Sequence, residues 1–521
     1  MGNSSNTPPP IAQQREIDIS KDSNRSIDIT IYGATGFVAR HICHYLITVI
    51  HQLNDPSRKN FRITLAGRNE GKLQSRLSEL REYEKKYEET SQMDIEWDIF
   101  IADCEDVTSL TEMAKRTVVV INCAGPYTTY GTNVVEACSS VGSDYVDITA
   151  EVEWVSRMRR QFGPLAEKSG SRIISFCGFD SIPSDLSVYA AIKEWKNTMQ
   201  QIQSEESILN VKSARTWHSV IGMLNGGSLL TALQMPVNVG ECLFDENKKL
   251  RPFPFLLYDP FSLIHPDLLD SPSLAVKKWK YISARSEWMN NFLTFDPEMN
   301  FAASIPFFMA VLNNKVIHAS AVALKYSPIL DKDSHSISAV PFTYKERMAP
   351  ISLKLSRKLS ILSVVPALLI LLSITFVSIL FKIPYLGELL ANWILPPGSG
   401  SPDAVNELGR TEVLAIIQGE SLSTDGDNSA KKYPDRASCH IRFEGDPGNL
   451  VTAQCAGESA LCLVLNRSDL PKRSKDGFGT PAELLGDALL ERLSNTKVRP
   501  VSIETKVWTN GDKDAKEGKV E

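Results

Sequence analysis

The stretch Ile27 to Arg40, IDITIYGATGFVAR, constrains the chain most, because an apolar run breaks there into a glycine-rich turn and reopens as an apolar-periodic segment. Ile27, Ile29 and Ile31 alternate as in a buried strand, Gly33 to Ala39 reads as the turn, and His41 to Leu46 continues as a helix. A strand that turns on glycine into a helix is a phosphate site. Gly33 permits the tight turn, Gly36 lets the backbone approach a pyrophosphate, and free amides at the positive helix end attract the charge. Gly33, Ala34, Thr35, Gly36, Phe37 and Val38 are therefore the candidate phosphate-binding residues. The pattern is G-x-x-G-x-x-A rather than G-x-G-x-x-G, and a turn without a ligand is the competing reading.

A second strand, Phe61 to Ala66, ends in Gly67-Arg68-Asn69. An acidic residue there would bind the ribose diol of NAD, whereas an arginine accommodates the 2′-phosphate of NADP. Arg68, with Asn69, therefore points to NADP(H) in preference to NAD, although Glu70 follows at once. The spacing from Gly36 exceeds the usual ~20 residues, which a longer first helix and a loop through Asn54-Asp55-Pro56 explain. Residues 70 to 92 read as a charged helix, 95 to 101 as a third strand, 106 to 116 as a short helix and 117 to 121 as a buried strand. Asp103, after the third strand, is placed either to meet an adenine edge or to cap the next helix. Asn122, Cys123, Ala124, Gly125, Pro126 and Tyr127 close the fourth strand, where the nicotinamide ribose should lie; a plain Gly-Pro turn is the alternative. Helix 131–141, strand 144–148, helix 151–161 and strand 172–177 complete a β/α series.

At 521 residues two or three domains are expected, and the net charge of −6 without a basic aromatic run argues against a nucleic-acid partner. The nine cysteines (43, 104, 123, 138, 177, 242, 439, 455, 462) contain no C-x-x-C pair, which fits a reducing compartment and neither a metal site nor a disulfide framework. The polar N-terminus has no secretory apolar region, and Met1-Gly2 is followed by Asn6 where a myristoylation signal wants Ser or Thr.

The segments IYGATGFVAR, LAGRNEGKL, VINCAGPYTTYGTNVVEACSSVGSDYVDITAE and FCGFDSIPSDL resemble the saccharopine dehydrogenase-like oxidoreductase family. The resemblance is to its membrane- and lipid-droplet-associated branch, which includes bacterial trans-acting enoyl reductases of glycolipid synthesis. It covers residues 27 to 190 and resumes at Gly226-Gly227-Ser228, Gly445-Asp446-Pro447-Gly448 and 480–486. It implies an α/β fold: an NADP-binding Rossmann domain with a doubly wound parallel sheet, then a mixed α/β domain, with the C-terminal helix returning to the first. The boundaries read as a tail at 1–25, the Rossmann domain at 26–180, the second domain at 181–345, a hydrophobic insertion and linker at 346–400, the rest of the second domain at 401–507 and a tail at 508–521. Strands are expected at 211–222, 411–418, 437–443 and 501–507, and helices at 228–233, 448–465 and 481–493. Residues 250 to 308, with Trp279, Trp288, Phe307 and Phe308, are either a lipid-facing surface or buried packing.

Leu359 to Phe381 is an uncharged apolar run preceded by Lys354, Arg357 and Lys358 and followed by Lys382. As one helix it would reach about 34 Å, enough for a ~30 Å hydrocarbon core. It reads as a membrane span, as a hairpin or embedded helix broken near Pro366 or Ile383-Pro384, or as a core helix. A span would part the C-terminal region from the Rossmann domain, which favours the embedded reading.

The functional expectation is NADPH-dependent hydride transfer involving a lipid-linked or hydrophobic substrate, in lipid or glycolipid metabolism at the cytoplasmic face of a membrane, on a lipid droplet or the endoplasmic reticulum, with a homodimer left open. No catalytic acid announces itself; Tyr127, Tyr130, Asp147, Glu151 and Asp180 lie at the strand ends on the site side, where caps and structural hydrogen-bonders also lie. Two alternatives are a non-catalytic nucleotide-binding scaffold at a membrane or droplet, and a short-chain dehydrogenase using the Tyr189/Lys193 pair. Saccharopine chemistry itself would require a basic cluster for a dicarboxylate, and none is apparent.

Overall fold

A computed structural model describes residues 25–53, 58–87, 93–202, 208–222, 263–264, 293–299, 302–326, 342–349, 360–381, 389, 393, 400, 402–422 and 433–508. The expected helix at 228–233, the loop at 54–56, Trp279, Trp288, the basic residues flanking the apolar run, Pro384 and the C-terminal tail lie outside them.

The first sheet holds β1 (Ile27–Tyr32), β2 (Asn60–Gly67), β3 (Asp94–Ile101), β4 (Thr117–Asn122), β5 (Asp144–Asp147), β6 (Ile173–Ile174) and β13 (Phe478–Gly479). Their order is β13-β6-β5-β4-β1-β2-β3, every pairing parallel, so the strand order reverses between β1 and β4. β1 and β4 are buried at every residue because helices cover both sheet faces. The helices are α1 (Phe37–Ile50), α2 (Glu70–Glu84), α3 (Val107–Arg116), α4 (Thr132–Val141) and α5 (Val152–Ser169).

The second sheet is mixed, in the order β14-β12-β11-β7-β10-β9-β8. It comprises β7 (Ile208–Ile221), β8 (Thr294–Asp296), β9 (Ala302–Pro306), β10 (Thr343–Met348), β11 (Arg410–Leu422), β12 (Arg436–Glu444) and β14 (Ser502–Trp508); only β7 and β10 run parallel. α6 (Ile182–Ile202) leaves the end of β6 and lies on β11 and β12, burying Trp195, whose indole donates to Pro434 O at 2.9 Å. α7 (Ala310–Ala323) packs on β10 and α6. The polypeptide thus passes from one sheet to the other through the segment 175–181.

Several element lengths differ from expectation. α2 stops at Glu84 and α5 runs on past Gln161 to Ser169, carrying Pro164 inside it. β6 is two residues long, because the chain bends away at Phe176, which takes a left-handed φ of 67°. The expected return helix at 481–493 is two helices, Pro481–Leu484 and a later one, Gly486–Asn495, parted at Gly486 with φ 43°. The return to the first sheet is made instead by β13 and by α9 (Thr452–Leu465), which lies against α1, β4 and β5; the Gly486–Asn495 helix is α10.

The apolar run forms a 3-10 turn, Ser360–Ser363, and then α8 (Val364–Phe381). Pro366 does not break α8, since it falls in the first turn where no amide partner is lost. Ser363 Oγ accepts from Ala303 N at 2.7 Å and Ala367 is buried, which ties one side of the helix start to β9. Among the described residues no helix is long and apolar enough to cross a membrane. The 18 residues of α8 rise about 27 Å, short of a ~30 Å core.

Candidate nucleotide-binding and active site

The glycine-rich turn has the geometry its sequence implies. Gly33 takes φ 76°, and a Cβ on it would stand 2.9 Å from Ala124 N, so β1 and β4 approach too closely there for any side chain. Gly33 N and Ala34 N both donate to Ala66 O, at 2.9 and 3.2 Å, which folds the turn against the end of β2. Gly36 is the N-cap of α1 and supplies no side-chain cap, so the first-turn amides and the positive helix end face the turn. This is the crevice beyond the carboxyl ends of β1 and β4, at the point where the strand order reverses.

Arg68 is exposed just past β2, close enough to Asp103 to lower that carboxyl's pKa, after the larger effect of the Glu105 amide. Asp103 is not the helix cap; Asp106 caps α3 through Thr108 N at 3.0 Å. Asn69 is engaged otherwise than expected, its Oδ1 accepting from Lys72 N at 2.9 Å as the cap of α2. Arg76, not singled out from sequence, reaches the turn: its Nη2 donates to Thr35 O at 3.3 Å and its Nη1 to Glu79 at 2.6 Å. Its position eight residues after Arg68, two turns along a helix capped by Asn69, is the signal that would have found it. The buried close approach at Gly33, the uncapped α1 end and the Arg68/Arg76 pair together fit a dinucleotide with a 2′-phosphate.

On the other side of the crevice, most of the expected acid candidates are structural. Tyr127 is buried, its phenol donating to Asn122 O at 2.9 Å and accepting from Ile148 N at 3.3 Å, and burial drives its pKa well above the usual value. Glu151 accepts from the backbone N of Tyr127 and Thr128, at 2.7 and 2.8 Å, and from Thr128 Oγ1, capping the short helical turn after cis-Pro126. Asn122 holds Ala124 N and the Tyr145 hydroxyl. Asp147 is fully buried and accepts from Thr149 N, Ser175 Oγ and Phe176 N, which holds the left-handed Phe176; burial pushes its pKa up to about 7 against those bonds. Burial likewise raises the pKa of the Cys123 thiol. Tyr130 is half-buried.

Asp180 differs from the rest. It sits half-buried where the chain leaves β6 for α6, its carboxylate has no partner among the described residues, and burial alone lifts its pKa to about 6. A desolvated carboxyl past a strand end has the character of an acid/base group.

Tyr189 and Lys193 share a face of α6, but both are engaged by one carboxylate, with Tyr189 OH at 3.0 Å and Lys193 Nζ at 2.7 Å from Asp487 Oδ1 on α10. Asp487 also raises the phenol's pKa, after burial, so the pair has the wrong partner for the short-chain dehydrogenase reading. Among the described residues no cluster of three or more metal-ligating side chains occurs, and the eight described cysteines are free. A surface hollow of about 470 Å³ at Asp28, Arg58, Arg62 and Glu96 lies at the amino ends of the strands, the opposite end from a nucleotide crevice.

A family match over the first sheet agrees with this geometry. Residues 29–174 match the Saccharopine dehydrogenase NADP binding domain family. A Mycobacterium tuberculosis protein carrying the trans-acting enoyl reductase name is 28% identical over 470 residues, 90% of this chain and 96% of that protein. A Caenorhabditis elegans lipid droplet localized protein is 32% identical over 206 residues, 39% of this chain and 46% of that protein. A solved apo saccharopine dehydrogenase (L-Glu forming) from Saccharomyces cerevisiae aligns with 92% of this chain and all of its own, at 13% identity and a TM-score of 0.42.

Proposed function

We propose, from the premise that residues 29–174 form an NADP-binding domain of the saccharopine dehydrogenase type, that this protein is an NADP(H)-dependent oxidoreductase acting on a hydrophobic or lipid-linked substrate at a lipid-droplet or membrane surface. The observation that carries the reading is the Gly33–Ala124 close approach beside the uncapped start of α1, with Arg68 just past β2 and Arg76 reaching the turn at Thr35 O. Bound there, NADPH supplies a hydride and the protein has to orient it and exclude water. Tyr127, Asn122 and Glu151 fix the Gly125-Pro126 turn rigidly beside it, and Asp180 offers a carboxyl for proton transfer. The relatives named trans-acting enoyl reductase support a conjugated acyl chain as the substrate class.

The lipid-surface half of the reading rests on the start of α8. Leu362, Val365, Leu368, Leu369 and Leu372 follow helical spacing along one side and are exposed, Leu369 at 60% and Leu372 at 64%. Leu389 and Trp393 are exposed as well, at 66% and 81%. A row of large apolar side chains facing water favours adsorption to an apolar surface, and one relative is named for lipid droplets.

A second reading, a nucleotide-binding scaffold without turnover, is favoured by the engagement of Tyr127, Asp147 and Glu151 in structural bonds. Titration of the purified protein with NADPH and NADH, followed by NADPH oxidation with trans-2-enoyl thioesters, tests both. NADPH binding with turnover supports the enzyme, binding without turnover supports the scaffold, and no binding removes both.

A further inference from the structure

Behind Asp180 the first turn of α6 meets the second sheet in a buried polar cluster that the cofactor site does not use. β7 and β10 are parallel neighbours with Glu346 opposite Thr216 and Met348 opposite His218, so Thr216, His218 and Glu346 share a face. Glu346 Oε1 accepts from Ser184 Oγ at 2.6 Å, Asn313 Nδ2 at 3.1 Å and Tyr344 OH at 3.1 Å, and lies 2.8 Å from His218 Nε2. With donors converging on it this oxygen is an acceptor throughout, so Nε2 carries the proton that faces it. Phe307 stacks flat on the imidazole, its ring centre 4.1 Å away, and touches Phe179 edge-on. His218 is 1% exposed.

A histidine held only for packing would have both nitrogens satisfied. Here His218 Nδ1 has no partner, and neither do Asn313 Oδ1 and Ser181 Oγ, although all three atoms are buried. An unpartnered Nδ1 on this imidazole and an unpartnered Oδ1 on the amide that donates to the same carboxylate are costly unless something occupies them. The cluster adjoins Asp180 along the chain, since Ser184, 3.2 Å from His218 Nε2, lies in the first turn of α6, which begins two residues after Asp180. Gly178, two residues before Asp180, would meet Ile148 with a Cβ at 3.6 Å, and Ile148 N donates to Tyr127 OH on the nicotinamide side.

The geometry points to His218, oriented by Glu346, as the proton donor to a substrate carbonyl oxygen, with Asn313 beside it as the second polar group. This rests on the oxidoreductase reading above. In the reductive direction a hydride from NADPH reaches the carbonyl carbon, or the β-carbon of a conjugated enone or enoyl thioester. The electron pair displaced from the π bond gathers on the oxygen, which takes the Nδ1 proton of His218 in its imidazolium form, the form in which both ring nitrogens carry hydrogen and Nε2 faces the Glu346 carboxylate. The products are NADP⁺, a hydroxyl (or an enol that tautomerises to the saturated carbonyl) and neutral imidazole, still donating through Nε2 to Glu346 and reprotonated from water.

The test uses the full chain saturated with NADP⁺, ¹⁵N-labelled at histidine, with N-decylacetamide as an unreactive carbonyl probe and trans-2-dodecenoyl-N-acetylcysteamine as the reactive one. His218→Gln keeps a donor to Glu346 and removes Nδ1, and it identifies the His218 signals by their loss. The amide should shift the His218 Nδ1 resonance in the wild type. In H218Q NADPH affinity should be unchanged, amide affinity about 10-fold weaker and kcat with the thioester about 100-fold lower. H218Q that binds the amide and turns over like the wild type makes His218 a structural partner and overturns the inference, as does a wild-type Nδ1 signal that the amide leaves in place. Should H218Q not fold, H218N supplies the assignment and the wild-type shift decides. Failure of the wild type to bind NADPH removes the underlying oxidoreductase reading, a result separate from either of these.

Discussion

Gly33 and Ala124 approach so closely that a single methyl group on Gly33 would stand 2.9 Å from the Ala124 amide nitrogen. That contact joins the ends of β1 and β4, and with it the two halves of the crevice. Gly33→Ala adds the methyl and also places a side chain at φ 76°. The substitution should destabilise the fold by about 1–3 kcal/mol and weaken NADPH binding at least about 10-fold through the displaced turn. Fluorescence titration of the folded variant measures the second effect apart from the first.

Arg68 and Arg76 approach the same end of the crevice from the end of β2 and from α2. If they clasp a 2′-phosphate, each charged contact is worth about 1.5–3 kcal/mol. Arg68→Glu should then lower NADPH affinity by about 10- to 100-fold and leave NADH affinity within about 3-fold. An equal loss for both nucleotides would place Arg68 elsewhere in the site.

Asp180 carries a pH dependence whose sign follows from its burial. In the fold its carboxyl holds its proton to about pH 6, whereas in the unfolded chain the proton leaves near ~3.9. Between those values the folded state binds more protons, so Asp180's contribution to stability falls as pH rises from about 4 to about 6 and is level above. Asp180→Asn has no proton to lose. It should match the wild type near pH 3.5 and exceed it by about 3 kcal/mol at pH 7, while slowing NADPH oxidation. Urea unfolding at the two pH values reads the first effect; equal stability at both would mean that the carboxyl is solvated.

What the sequence made legible was local. The strand, glycine turn and helix at 27–50 sit within one contiguous stretch, and the arginine after β2 is read by the same short-range logic. Roles set by distant partners were not legible. Tyr127, Asp147 and Glu151 look like acids on a site-facing strand end, yet a carbonyl, a bent backbone and two amides already engage them. The outer neighbour of β6, β13, comes from more than 300 residues later, and Phe176 ends β6 by a bend that Asp147, on the next strand, holds. The His218–Glu346 pair spans 128 residues and depends on the register of two parallel strands, which no local pattern encodes.

α9 is fixed to α1 by a buried ion pair with a phenol. Glu458 accepts from Arg492 Nε and from Tyr45 OH, each at 2.6 Å, and its side chain is 1% exposed. Arg492→Leu would leave a buried carboxylate without its cation, at a cost of about 3–5 kcal/mol, whereas Tyr45→Phe removes one hydrogen bond, about 1–2 kcal/mol. Chemical denaturation of the two variants should give that order.

The exposed face of α8 makes the lipid-surface reading testable separately from catalysis. Leu369 and Leu372 are mostly exposed, so a charge at either position meets water in the free protein and should cost little stability. Against a lipid surface the same charge must be desolvated, and the transfer free energy of two leucines is lost as well, about 1.5–3 kcal/mol each if fully buried. Leu369→Glu with Leu372→Glu should therefore reduce flotation with triolein droplets coated in phosphatidylcholine by about 10-fold or more. NADPH affinity should not change, because α8 packs on β9 of the second sheet and the nucleotide crevice belongs to the first. Undiminished flotation would show that these leucines face something other than lipid, and the apolar row would then require a protein partner to cover it.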